Sequence, residues 1–370
     1  MDTDVQYFGA SLGSLASLGC PWRAQDRAVS TAVGATLIVL GVSAAAALSW
    51  LSLHLLVARP RAPTHLLLLQ LCAAALACTV LSGFPFTGTS AVTGHWLYGA
   101  KGCIAQAFIQ HLGVVVQLWT LSGLALERWL CSRPAAPMPS PSPPPPARWY
   151  ARALALPWLL GVAVAAPPLA GWGSFGCDVS GVWCSVNWSG GNSGASFAYA
   201  VFALLAGRLV PATVTVWCLC GARVALPALP PPAAAPQAPR PRTPHSCSAS
   251  RRAHSALNAV ARLTAAGVLL LRAPRVILDL HLAAAGLSWD RAPRVLAYLA
   301  PVTDEASALV LPLVCALLDR SCRPSACSSP CSCVPKGGGG GLSSCCGRGG
   351  RREDADDGAV QQRVTSPVPS

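Results

Sequence analysis

Long apolar blocks separated by short polar connections run through most of this chain. Each block is long enough to cross a bilayer as an α-helix, which takes about 20 consecutive apolar residues. Lipid offers the backbone no hydrogen-bond partners, and the blocks lack the alternation typical of barrel strands, so each block is predicted to be helical. The pattern predicts an all-α membrane protein with a seven-transmembrane helix bundle over residues 31–318. The blocks cover about residues 31–57, 64–89, 100–130, 150–172, 196–222, 256–282 and 293–318.

Arginines gather in every second connection between the blocks. Positive charge of this kind marks the cytoplasmic side of a membrane. The N-terminal segment, residues 1–30, is therefore predicted to be extracellular, and the tail, residues 319–370, cytoplasmic. The first thirty residues lack the basic start and apolar run of a secretory signal peptide, so the first helix is expected to serve as its own insertion signal. The arginines that carry this argument are Arg59, Arg61, Arg128, Arg133, Arg148, Arg223, Arg240, Arg242, Arg251, Arg252, Arg320 and Arg323.

The composition agrees with a multi-pass membrane protein. The chain is 53% hydrophobic and only 11% charged, whereas soluble domains carry about 25% charged residues. The formal net charge of +13 does not indicate nucleic acid as a partner, because the arginines form no single basic face. The inner loops at about 134–147 and 226–250 and the cysteine- and glycine-rich tail are predicted to be largely disordered, because they are rich in Pro, Ala or Gly.

Several landmarks follow one another in a characteristic order. Cys103 opens the third block and Glu127-Arg128-Trp129 closes it, so they lie at opposite ends of one spanning helix. Cys184 lies in a later outer connection. Because both cysteines face the oxidising side, they are expected to form a disulfide, with Cys177 as the competing partner. Kinks are predicted in the fifth, sixth and seventh helices at Pro211, Pro274 and Pro312.

Three stretches of this frame resemble the opsins, within the rhodopsin-like (class A) G-protein-coupled receptors. They are Arg61 to Leu68, Leu124 to Trp129, and the loop with Pro168 to Trp172, Asp178 and Cys184 to Trp188. They are most similar to the branch of encephalopsin and the teleost multiple tissue opsins, and the likeness covers roughly residues 31–325. The resemblance implies coupling to a heterotrimeric G protein through Glu127, Arg128 and Trp129, with arrestin and membrane lipids as further partners. It also implies that Arg128 pairs locally in the resting state.

The chain departs from opsins at the residue that binds retinal. Opsins carry a Schiff-base lysine in the seventh helix, and the equivalent position here is Glu305. The chain has only Lys101, at an outer helix end, and Lys336, in the tail. A carboxylate cannot form an imine, so covalent retinal is not expected, although the resemblance leaves room for retinal bound non-covalently.

Other positions of the family's polar network are also replaced. Ala75, Leu311 and Cys315 stand where the family has polar residues, and Arg272 stands at the position of a helix-six tryptophan. These changes put ordinary agonist switching in doubt. They keep open the alternative that the chain is a decayed receptor that does not signal.

Charged residues inside the predicted helices indicate buried ion pairs or an ion pathway. Glu305 is expected to pair with Arg272, and Arg275 with Asp279 one helical turn later. Asp178 matches a counterion-like outer-loop position in opsins and is expected to be solvated here. A transporter or proton-conducting protein is the alternative function, supported by Arg272, Arg275, Asp279, Asp304 and Glu305. The sequence shows no catalytic dyad and no metal-ligand set inside the bundle, so it does not indicate an enzyme.

Two kinds of modification are predicted. Asn187-Trp188-Ser189 is a glycosylation sequon in an outer loop. Cys322 and Cys327, just beyond the seventh helix, are candidates for palmitoylation.

Overall fold

The computed structural model describes most of the predicted bundle. The segment 1–26, residues 226–243 of the predicted third inner loop, and the tail with Cys322 and Cys327 lie outside the described residues. All described residues fall within one compact unit. The described residues are 27–57, 64–132, 134–135, 140–141, 145–178, 180–188, 194–221, 244–284 and 294–318.

Ten α-helices in the described part form seven spanning segments, as the apolar blocks predicted. Helices α2 and α3 make one segment, α6 and α7 another, and α9 and α10 a third; each remaining helix is a segment by itself. The helices are α1 Arg27–Val57, α2 Thr64–Leu81, α3 Phe84–Thr93, α4 Gly99–Ser132, α5 Ala147–Ala165, α6 Gly194–Leu204, α7 Val210–Gly221, α8 Pro244–Ala284, α9 Arg294–Ala306 and α10 Val310–Leu317.

The segments differ in how apolar they are. Five are long and apolar enough to cross a membrane, and the pair Val295–Ser307 and Val310–Leu317, bent by 45°, makes a sixth. Helix α8 is the seventh, and it is less apolar because it carries charges where the others carry aliphatic residues. Those charges are Arg262, Arg272, Arg275 and Asp279.

Close approach of helices holds the bundle together. Helix α1 packs on α3 so tightly that a Cβ at Gly34 would lie 2.5 Å from the Val92 nitrogen. Small residues serve this purpose in membranes because they let backbones approach. A large apolar cluster joins α1, α2, α4, α5, α8 and α10, and a second cluster joins α4 to α6, α8 and α9.

Helix irregularities accompany two of the three predicted proline kinks. A π-helical turn, Leu205–Leu209, precedes Pro211, and a 3₁₀ turn, Ser307–Leu309, precedes Pro312 at the 45° bend. Proline lacks the N–H that would continue the preceding turn, which favours such irregular turns. Pro274 lies inside α8, which continues on both sides of it.

A small hairpin covers one end of the bundle. Strands β3 (Phe175–Cys177) and β4 (Cys184–Val186) pair antiparallel, with Cys177 opposite Cys184. The Cys103–Cys184 disulfide ties this hairpin to the start of α4, with a Cα–Cα distance of 5.4 Å. The predicted disulfide is therefore confirmed. Cys177 belongs to a different disulfide. We call this the disulfide end of the bundle.

Two segments with a predicted disordered composition contain regular secondary structure. Residues Pro134–Ala135 (β1) and Ser140–Pro141 (β2) pair antiparallel, so part of the loop at 134–147 forms a short ladder. Extended Pro and Ser residues are compatible with such an edge pair. Helix α8 begins at Pro244, so the predicted disorder of 226–250 is wrong for its last residues. Proline at the first position suits a helix start.

Candidate functional site

Glu127 and Arg128 form a closed buried pair at the end of α4 opposite the disulfide. Arg128 Nη2 lies 2.7 Å from Glu127 Oε1, and the side chains are 4% and 1% exposed. Thr64 of α2 donates to the same Glu127 oxygen (2.6 Å) and accepts from Arg128 Nη2 (3.0 Å). The hydroxyl of Tyr150, from α5, also donates to it at 2.5 Å. The Glu127–Arg128 pair is thus held by residues of α2, α4 and α5. We call this the arginine end.

Trp129 points to a different neighbour from Arg128. Its ring lies 5.2 Å from that of Trp217 on α7, measured between centroids. A Cβ at Gly221 would fall 2.8 Å from Trp129 Nε1. Trp129 therefore packs α4 on α7.

A cavity lies near the disulfide end, beneath the β3–β4 hairpin. Its volume is about 60 Å³, which has room for only a few water molecules. Its apolar lining includes Leu37, Ala107, Val114, Val186 and Pro301. The polar and aromatic side chains in its wall are Ser82, Thr87, Gln106, Gln110, His111, Trp183, Ser185, Trp188, Arg208, Arg275, Asp304 and Glu305.

Three arginines and three aspartates pair with one another around this cavity. Arg208 on the π turn lies 3.1 Å from Asp279 of α8. Arg275 contacts Asp279 at 3.1 Å, as predicted, and Asp178 of the hairpin at 2.9 Å. Asp178 is 2% exposed, so the expectation of a solvated loop acid is wrong. The hairpin folds over the bundle and brings this carboxylate onto Arg275.

The predicted Arg272–Glu305 ion pair is also wrong. Arg272 Nε lies 3.3 Å from Asp304 Oδ1 and donates to Ser307 Oγ at 3.2 Å. Its Nη2 donates to Gln117 of α4 at 2.7 Å. Adjacent residues on a helix point about 100° apart, and here Asp304 is the one that contacts Arg272.

Glu305 lies in the cavity wall without a basic partner. No described Lys, Arg or His nitrogen is within 4.0 Å of its carboxylate. It is 9% exposed, and its Oε1 has no hydrogen-bond partner among the described residues. The hydroxyl of Thr79 bonds to the carboxylate. The position equivalent to the opsin lysine therefore carries an acid without a salt bridge to any described residue.

A chain of hydrogen bonds connects the Cys103–Cys184 disulfide to Asp304. Gln106 accepts from the Cys184 backbone N–H (3.2 Å) and donates to the Ser82 carbonyl (3.0 Å). Ser82 Oγ donates to Gln110 (2.7 Å), which donates to Asp304 (3.3 Å). The hairpin, α4 and α9 are thus connected through one polar path.

An apolar layer separates the cavity from the arginine end. Ala75, Leu311 and Cys315 all lie buried in the large apolar cluster. These are the positions where the family's polar network is replaced. The described residues there pack as a hydrocarbon core, with Leu71, Leu121 and Leu124 among their neighbours in the cluster.

Sequence reasoning missed two members of the site. Arg208 stands alone in the otherwise apolar block 196–222, and a charge inside a spanning helix is itself a signal of function. His111, 4% exposed with Nε2 unpartnered, lies in the middle of α4 without a sequence motif to mark it.

Retinal does not fit the residues present. The cavity offers no amine, since Lys101 is exposed at the start of α4 and the other lysine, Lys336, lies outside the described residues. Its volume is far below the roughly 300–1,000 Å³ of drug-sized sites. Its wall holds Glu305, a buried acid that a polyene would leave without a further polar partner. The described cavity suits a small polar molecule.

The comparisons with known proteins agree with this architecture. The sequence profile of the family described as 7 transmembrane receptor (rhodopsin family) matches residues 34–266, ending before α9 and Glu305. Opsin-3 of Mus musculus is 31% identical over 160 residues, covering 43% of this chain and 38% of that protein. Retinochrome of Todarodes pacificus is 33% identical over 116 residues, covering 30% of this chain and 36% of that protein.

Two further similarities complete the picture. Rhodopsin of Abyssocottus korotneffi is 30% identical over 161 residues, covering 43% of this chain and 53% of that protein. The chain thus spans about half or less of the length of these curated relatives. The crystal structure of squid rhodopsin matches with a TM-score of 0.67 and 16% identity, covering 81% of this chain and 86% of that chain, and this likeness concerns the fold.

Proposed function

Because the chain belongs to the rhodopsin family of seven-transmembrane receptors, we propose that it is an opsin-like receptor that signals to heterotrimeric G proteins without a covalent chromophore. The observation that carries this proposal is the closed Glu127–Arg128 pair, tied to Thr64 and Tyr150. A buried, locally paired arginine at a helix end is a group that can be released when neighbouring helices move.

We place the receptor in the plasma membrane with its disulfide end outside. The positive-inside rule supports this orientation, since the connections near the arginine end carry most of the arginines. The N-terminus is then extracellular and the tail cytoplasmic. A glycan on Asn187 and palmitates on Cys322 and Cys327 remain predictions, as do arrestin and membrane lipids as partners.

Nucleotide exchange by G proteins tests the proposal. We expect Arg128→Ala to lower basal exchange at equal surface expression, because the group that would meet the G protein is gone. Arg148→Ala is the matched control, since Arg148 is exposed at the start of α5 near the same end, and it should leave exchange unchanged. A chain that is silent with every G-protein family would instead favour the non-signalling receptor.

Proton conduction is the second candidate, and the buried charges around the cavity favour it. The apolar layer around Ala75, Leu311 and Cys315 argues against it, because a proton path needs polar groups or water through the membrane. A flux assay in vesicles, with Glu305→Gln as control, separates the two functions. A proton current that this substitution abolishes would support conduction.

A further inference from the structure

We propose that the cavity binds a small organic ammonium ion that carries a hydrogen-bond acceptor, with its ammonium group at Glu305 and its acceptor toward Arg208 and Trp188. The inference deepens the proposed function, because this cavity would be the receptor's ligand site. It rests on three observations: the charge balance, the unpartnered acceptor and the unpartnered donors in one cavity wall.

The charge balance calls for a cation. Three arginines face three aspartates in contacts of 2.9–3.3 Å around the cavity. Each described member of that set has an opposite charge within 3.3 Å, whereas Glu305 has no described basic nitrogen within 4.0 Å. An unpaired buried carboxylate is costly in the membrane. A bound ammonium group would complete the set.

Glu305 has the geometry to receive such a group. It lies in the wall, nine-tenths buried, and Thr79 bonds to its carboxylate while Oε1 has no partner among the described residues. An ammonium group donates three hydrogen bonds, and those to a carboxylate are about twice as strong as neutral ones.

The donors in the same wall call for an acceptor on the ligand. Arg208 is 6% exposed, and its Nε and Nη1 have no hydrogen-bond partner in the described part of the chain. The indole Nε1 of Trp188, 2% exposed, is also unpartnered. Arg208 lies over the Trp188 ring at 5.6 Å, so these donors are neighbours. A carbonyl or hydroxyl oxygen of the ligand would accept from them.

The size of the cavity limits the ligand to a few heavy atoms. A volume of about 60 Å³ corresponds to roughly four to six water positions. Glycinamide has an ammonium group and a carbonyl within that size. Acetamide keeps the amide without the ammonium, and methylamine keeps the ammonium without the acceptor.

Calorimetry on the purified full chain in nanodiscs, without G protein, tests the proposal. Glycinamide should bind at least about tenfold more tightly than acetamide or methylamine, because it alone carries both an ammonium group and a hydrogen-bond acceptor. Glu305→Gln should lower the affinity for glycinamide about 10- to 100-fold, to the level of the affinity for acetamide. The affinity for acetamide should stay unchanged. Lys101→Gln, which removes an exposed charge at the disulfide end outside the cavity, should affect none of the three.

Equal binding of glycinamide and acetamide, or no measurable binding of any of the three, would overturn the proposal. A Glu305→Gln chain that keeps its glycinamide affinity would do so too. If that variant fails to fold, Trp188→Phe decides, since it keeps a ring and removes Nε1. This substitution should weaken the binding of glycinamide and leave the binding of methylamine unchanged. Equal effects on the two affinities would contradict the proposed pose. A chain that binds glycinamide but activates no G protein contradicts the proposed function alone.

Discussion

At the scale of single residues, Asp304 and Glu305 show how neighbours in sequence take opposite roles. Asp304 neutralises Arg272 and accepts from Gln110. Glu305 faces the cavity with no described cation beside it. Glu305 is buried and the Asp304 side chain is 12% exposed, so the difference is a matter of which way the α9 helix turns each side chain. The acid that stabilises the bundle is therefore Asp304.

The stability of two substitutions distinguishes these roles. Asp304→Asn should lower the free energy of unfolding by about 3–5 kcal/mol, because it leaves Arg272 buried without a carboxylate. Glu305→Gln should leave stability unchanged or raise it, since it removes a buried acid that has no basic partner. Thermal unfolding in detergent measures both. Equal losses of stability in the two variants would indicate that Glu305 neutralises Arg272 as much as Asp304 does.

At the scale of elements, the π turn before Pro211 positions a charge that a regular helix would place differently. The Val210 N–H bonds to the Leu205 carbonyl, so the next carbonyl, that of Ala206, would need a donor at Pro211. Proline has none. The indole of Trp119 on α4 donates to it instead, at 3.0 Å. Arg208 lies within this turn and reaches Asp279.

A double-mutant cycle tests this account of the turn. Trp119→Phe should lower the free energy of unfolding by about 1–3 kcal/mol, because the Ala206 carbonyl loses its donor. In a Pro211→Ala background the loss should be smaller, since the new N–H can bond to that carbonyl. Circular dichroism during heating follows unfolding. Equal losses in both backgrounds would show that Trp119 acts by packing alone.

The elements themselves could largely be predicted from the sequence, whereas their contacts could not. Apolar length identified seven segments, and Pro211 and Pro312 marked irregular turns. The partner of Arg272 depends on the rotation of α9 and on the bend at Ser307–Leu309, and no local pattern encodes either. The burial of Asp178 depends on the hairpin folding over the bundle. Cys103 and Cys184 could be paired because topology placed both on one face.

At the scale of the whole molecule, helix α4 connects the two ends. It carries Gln106 and Gln110 at the cavity and Glu127 and Arg128 at the other end. Residues 103 and 128 are about 37 Å apart along such a helix. Gln117, near its middle, holds Arg272 of α8. A shift of α8 against α4 is therefore the motion that would affect both ends.

The disulfide fixes the hairpin over this arrangement. Its cysteines are 81 residues apart in sequence, and losing such a bond costs about 2–5 kcal/mol in small secreted domains. Cys103→Ser should lower the unfolding temperature and reduce surface expression. Cys220→Ser, which removes an exposed thiol, is the control and should do neither. Peptide mapping without reductant should recover the 103–184 pair, and a peptide joining 177 to 184 would contradict it.

The small size of the cavity sets the concentration range over which such a receptor could report. A ligand of about five heavy atoms gains at most about 1.5 kcal/mol per atom, so its dissociation constant is micromolar at best. Shifting a two-state protein from about 1:99 to 99:1 requires the ligand to prefer one state by roughly 5.5 kcal/mol. That preference would use most of the binding free energy that such a small ligand can gain. Where a photopigment responds to a single photon through a bound chromophore, this chain would respond in a graded way to an abundant small molecule.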